Sequence, residues 1–80
     1  MSATSDPIVD ALTRRWSDGQ LFVEHDYRRR CWRLQQAPIE IVLLIWPGGS
    51  TRLQVWARTG RVLYAEGADS WQKAIASCPL

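Results

Sequence analysis

Eighty residues make one domain, 1–80, and leave few polar groups that could converge in a catalytic pocket. Ten Lys and Arg against eight Asp and Glu give a net charge of +2, which is mildly basic and short of the footprint of a dedicated nucleic-acid binder. No apolar run approaches the ~20 residues that cross a bilayer, and Met1–Asp6 has neither the basic start nor the apolar stretch of a signal peptide. A cytoplasmic protein with reduced thiols, without membrane association, is therefore the expectation.

Residues 1–5 are small and polar and should fray. Asp6-Pro7 places a capping side chain before a proline at the first helical position. Ile8, Leu12 and Trp16 follow at a spacing of four, with Arg14 and Arg15 near the negative end of the dipole. A helix over 7–17 follows, with Gly19 as its left-handed cap. Gln20–His25 and Arg29–Gln36 read as two strands turning near Asp26-Tyr27-Arg28, with one helix as the rival reading. Leu21, Val23 and His25 would share one face, and Arg30, Trp32 and Leu34 a face of the second strand. Pro38 ends whatever precedes it.

Ile39–Trp46 carries seven apolar residues in eight, rich in β-branched side chains, and reads as a strand. It does not alternate, so it should be covered on both faces. A domain of this size buries only roughly 60–65% of its unfolded surface, so a second chain is expected to supply one cover. A four-residue loop at 47–50 leads to a strand over Thr51–Arg58. A two-residue connection at Thr59-Gly60 leads to a strand over Arg61–Ala65. Asp69, with Gln72 three residues on, has the spacing of a capping box for a final helix. Trp71, Ala74, Ile75 and Cys78 form its apolar stripe, and Pro79 ends it. The order is α+β: an N-terminal helix, an antiparallel meander of three to five strands, and a short C-terminal helix.

These loop lengths set Leu44 opposite Leu53 and Val55 opposite Tyr64. One sheet face then carries Val42, Leu44, Trp46, Leu53, Val55, Ala57, Val62 and Tyr64, and suits a helix-covered core. The other carries Ile39, Ile41, Leu43, Ile45, Trp56 and Leu63, ringed by Arg52, Arg58 and Arg61, as an interface would be. A loop one residue longer would swap the faces, because side chains alternate with period two.

Little else carries chemistry. His25 has Glu24 and Asp26 as chain neighbours, which on a strand point away from it. Cys31 and Cys78 lack the paired spacing of a metal site, so no metal, cofactor or disulfide is expected. Pro47-Gly48-Gly49-Ser50-Thr51 lacks the Lys and frame of a phosphate loop. The dense basic cluster is Arg28, Arg29, Arg30 and Arg33, interleaved with Tyr27 and Trp32 as in single-strand binders. Taken together, the sequence suggests a small non-catalytic protein-interaction module, a homodimer or a binder of another protein, using Ile39, Ile41, Leu43, Ile45, Trp56, Arg52, Arg58 and Arg61. The alternative is a nucleic-acid-binding domain using Arg28, Arg29, Arg30, Trp32 and Arg33. Only Lys73 joins the nine arginines, whereas phosphate-tracking surfaces usually mix both types.

Overall fold

A computed structural model of the chain describes residues 6–22 and 28–80. In chain order it contains α1 (Pro7–Arg15), β1 (Gly19–Phe22), β2 (Arg29–Leu34), β3 (Ile39–Ile45), β4 (Thr51–Ala57), β5 (Val62–Ala68) and α2 (Trp71–Ser77). The five strands form one antiparallel sheet in the order β1-β2-β3-β4-β5, so the α+β meander is the observed architecture. The strand reading of 20–36 holds over β1 and β2; Val23 and His25 lie outside the described residues.

The helices form where local chemistry favours them. Asp6 accepts a hydrogen bond from the Ile8 N–H at 2.9 Å, and Pro7 needs no intrahelical partner for the donor it lacks. α1 stops at Arg15, two residues before the expected end, because the Trp16 backbone leaves the helical region while its N–H still reaches the Leu12 carbonyl. α2 is capped by Ser70, whose Oγ accepts from the Lys73 N–H at 3.2 Å, and not by Asp69. Asp69 instead lies 3.8 Å from Lys73, one turn on.

Both helices pack on one face of the sheet. Leu12 and Trp16 from α1 and Ala74 and Ile75 from α2 join Cys78, Trp32, Leu34, Ile41, Leu43, Leu53 and Val55 in one buried cluster, with Ile8, Ile39, Tyr64 and Trp71 packed around it. Ile41 and Leu43 are 0% exposed. The face expected as an interface is thus the core: Ile39, Ile41 and Leu43 sit beneath the helices, and Ile45 alternates onto the same side at the strand end. Trp56 lies on the opposite face.

The reversal has a local cause. Trp46 N–H donates to the Ser50 carbonyl and Gly49 N–H to the Trp46 carbonyl, closing a loop of three residues, not four. Ala57 N–H bonds the Arg61 carbonyl and Gly60 N–H the Ala57 carbonyl in the same way. Gly49 and Gly60 take φ of 99° and 100°, the left-handed position that this loop needs at its third residue. The first loop moves β3 against β4 by one residue, pairing Leu43 with Leu53 and Ile41 with Val55. The second loop is longer than expected by one, where the first is shorter, but the register shifts again between Val55 and Trp56, with Leu63 left as the extra residue. Val55 therefore still faces Tyr64, while Trp56 faces Val62 and not Leu63. β5 also runs on to Ala68, because β4 offers it pairing as far as Thr51.

Gly19 opens β1 and is not a left-handed cap. A Cβ there would lie 1.9 Å from Trp32 Nε1. The bare backbone admits the Trp32 indole, whose N–H donates to the Trp16 carbonyl at 3.0 Å and ties β2 to the end of α1.

Candidate binding face

The helix-free face of the sheet follows directly from the strand register. Its first row reads Arg29, Leu44, Arg52, Gly67 across β2 to β5. The second reads Phe22, Cys31, Val42, Gln54, Ala65, from β1 to β5. The third reads Gln20, Arg33, Glu40, Trp56, Val62. Arginine occupies three positions of this grid, and Glu40 is its one acid.

The centre of the face is closed by the chain's own side chains. Val42 is 3% and Cys31 2% exposed although no helix covers them, so the doubly apolar β3 is buried in its middle on both faces without a second chain. The Arg33 guanidinium lies 3.7 Å over the Phe22 ring, and its Nη2 is 3.9 Å from Glu40 Oε2. Its Nε is buried with no hydrogen-bond partner. Trp56 is tied to Gln54, two residues back on the same face of β4: its indole N–H donates to Gln54 Oε1 at 3.0 Å. Arg58, from the β4–β5 loop, turns inward and donates to the Leu34 carbonyl, while its own N–H reaches the Pro38 carbonyl at 3.0 Å. Between these groups lies an open depression of about 370 Å³ lined by Arg29, Arg33, Glu40, Val42, Trp56 and Arg58.

The residues singled out from the sequence are divided by this geometry. Arg52 and Trp56 reach the helix-free face, Arg58 borders it, and Arg61 is exposed beyond the β4–β5 loop. The basic cluster does not form one patch. Arg29 and Arg33 point to the helix-free side. Arg30 alternates to the other side and pairs with Asp6 at 3.1 Å, bracing the start of α1. Trp32 is 4% exposed in the core. Arg28 lines a second hollow with Ile8, Ile45, Trp46 and Pro47. The role of Arg33 as a lid over Phe22 was missed by sequence reading, and its signal was available only once Phe22 and Cys31 were known to be paired.

Chemically the face offers guanidinium donors, an aromatic edge and an aliphatic floor. Cys31 and Cys78 are buried on opposite sides of the sheet. Among the described residues, no three His, Cys, Asp or Glu gather as metal ligands. Tyr64, on the core face, has its phenol held above the ordinary 10.0 by desolvation first, then by the charges of Glu66 and Cys78, so it stays protonated at neutral pH. No described helix is long and apolar enough to cross a membrane. In comparisons with family models, curated proteins and solved structures, nothing matches this chain.

Proposed function

We propose that this chain is a small non-catalytic protein-interaction module whose helix-free face holds an acidic, partly apolar segment of another protein. The observation that carries this reading is the composition of that face: Arg29, Arg33 and Arg52 against the single Glu40, around Leu44, Val42 and Trp56. Arginine and tryptophan are the side chains most often energetically decisive at interfaces. The same charge speaks against two copies meeting face to face, since an isologous contact would set arginines against arginines.

A nucleic acid is the second reading, favoured by Arg29 and Trp56 side by side on one depression. It ranks lower because the ring of Phe22 is already occupied by Arg33, Trp32 is in the core and Arg30 is committed to Asp6. Stacking surfaces and phosphate donors are therefore fewer than the sequence suggested.

The test is selection from a random peptide library and from a pool of single-stranded oligonucleotides against the immobilised chain. Peptides combining carboxylates with an apolar residue should be enriched. Their affinity should fall by more than ~2 kcal/mol in Trp56→Ala, as expected for an anchor, and by less in Arg29→Ala or Arg52→Ala. Oligonucleotide binding whose log affinity falls with log salt at roughly −0.7 per phosphate contact would move the assignment to the second reading. Peptides enriched without regard to these substitutions would overturn the proposed face.

A further inference from the structure

Arg29 lines two hollows: the depression on the helix-free face and a smaller one of about 180 Å³ where β2 begins and β3 ends, against Leu44, Ile45 and Trp46. Arg28, Ile45 and Trp46 in turn line a third, of about 310 Å³, walled also by Ile8 of α1 and by Pro47. The three adjoin through these shared side chains and lead from the bare face, around the end of the sheet, to the start of α1. Leu44 and Ile45 alternate to opposite faces, so the path turns the corner between them. Trp46 stands at that corner, 49% exposed. Among the described residues, five arginines and one acid, Glu40, line the whole path. The last hollow is the apolar one: Ile8, Ile45, Trp46 and Pro47 wall it beside Arg28 and Arg30, and Arg30 is paired with Asp6 at 3.1 Å.

We propose that the acidic segment held on the bare face continues around the end of the sheet and seats one apolar side chain in the hollow of Ile8, Ile45, Trp46 and Pro47. The inference rests on the reading of the bare face and adds a second anchor to it. Charge sets the occupant's sign, because a path lined by five arginines and one glutamate disfavours a basic segment or a second copy of itself. The corner sets its conformation: an α-helix about 10–12 Å across cannot bend around a sheet end, whereas an extended chain can. The aliphatic walls suit an aliphatic side chain, and Trp46 offers it a large, partly exposed ring. The base of that ring is fixed, since the Trp46 N–H donates to the Ser50 carbonyl and its own carbonyl accepts from Gly49, so little backbone freedom is lost on binding. Length follows from the strand. Arg33 and Arg29 are four residues apart on β2, about 13 Å, and passing the sheet end adds about 10 Å. A carboxylate between the two guanidiniums therefore lies roughly 17 Å from the hollow, about five residues of extended chain.

The probe is a series of fluorescein-labelled peptides, each with a Glu-Glu pair, a Gly-Ser spacer and one Leu, read by fluorescence anisotropy against the full chain. A control series carries Gly in place of that Leu. With a spacer of one residue or none, Leu should add nothing, because the chain cannot span both sites. With spacers of about five to eight residues, Leu should tighten binding about tenfold. Trp46→Ala should remove that gain and leave the Gly series within about twofold of the parent, which isolates the contact as a double-mutant cycle does. Far-ultraviolet circular dichroism verifies the fold of the variant, and the Trp46 indole resonance of the parent should move with the Leu peptide and not with its Gly counterpart. Binding of the Gly series with no gain from Leu at any spacing overturns the second anchor and leaves the bare-face reading standing. A gain from Leu that survives Trp46→Ala also overturns it. Failure of both series to bind overturns the bare-face reading and this inference together. A single-stranded oligonucleotide that binds in their place, and is weakened by Trp46→Ala, gives the path to nucleic acid and overturns the peptide proposal.

Discussion

Gly19 and Trp32 show how much rests on one missing side chain. The indole occupies the space where a Cβ would stand, 1.9 Å from its Nε1, and its N–H donates to the Trp16 carbonyl, which also accepts from the Gly19 N–H at 3.2 Å. Gly19→Ala must push a buried ring against a close-packed core, so it should cost about 2–3 kcal/mol in urea unfolding. Gly48→Ala meets nothing within 4 Å and serves as the comparison, expected within about 0.5 kcal/mol of the parent. Equal effects of the two would remove the argument from Trp32. The sequence marks Gly19 as special, but local pattern offers only a helix cap as the reason. The true reason is a ring thirteen positions along the chain, which becomes visible only when β1 and β2 are paired. Asp69 and Ser70 are a milder case: both have capping side chains, and the choice between adjacent caps depends on where the strand before them ends.

At the scale of elements, helix stripes and strand positions were legible and the faces of the sheet were not. Ile8, Leu12 and Trp16, and Trp71, Ala74, Ile75 and Cys78, pack as their spacing implies because each stripe depends on its own helix alone. The face of β3 depends on one residue in the loop after it, and Pro47-Gly48-Gly49-Ser50 accommodates three residues or four without a change of composition. Gly49 at φ 99° settles it as three. Two substitutions separate the faces experimentally. Ile41→Asp buries an unpaired carboxylate at a position with 0% exposure and should cost about 4 kcal/mol or more, close to the whole stability of so small a domain. Trp56→Asp is on the half-exposed side and should leave a cooperative fold, losing about 1–2 kcal/mol. Thermal melting followed by circular dichroism reads both. A folded Ile41→Asp variant beside an unfolded Trp56→Asp variant would restore the opposite face assignment.

Across the whole molecule, the arrangement sorts charge by side. Asp6, Arg30 and the helix ends are paired or capped on the covered side, whereas Arg29, Arg33 and Arg52 gather around one glutamate on the bare side. Composition records only a net charge of +2 and hides this asymmetry, which arises from strand alternation and pairing. The five tryptophans make it directly measurable, because each indole N–H gives its own resonance. The proposed docking of an acidic segment of a partner protein on the bare face can be read from these signals. A ¹⁵N-resolved titration with the peptide selected above should move the Trp56 indole signal, whose N–H lies on that face against Gln54, and leave the Trp32 signal, buried and bonded to the Trp16 carbonyl, unmoved. A shift confined to Trp71 or Trp46, with Trp56 unchanged, would contradict the account.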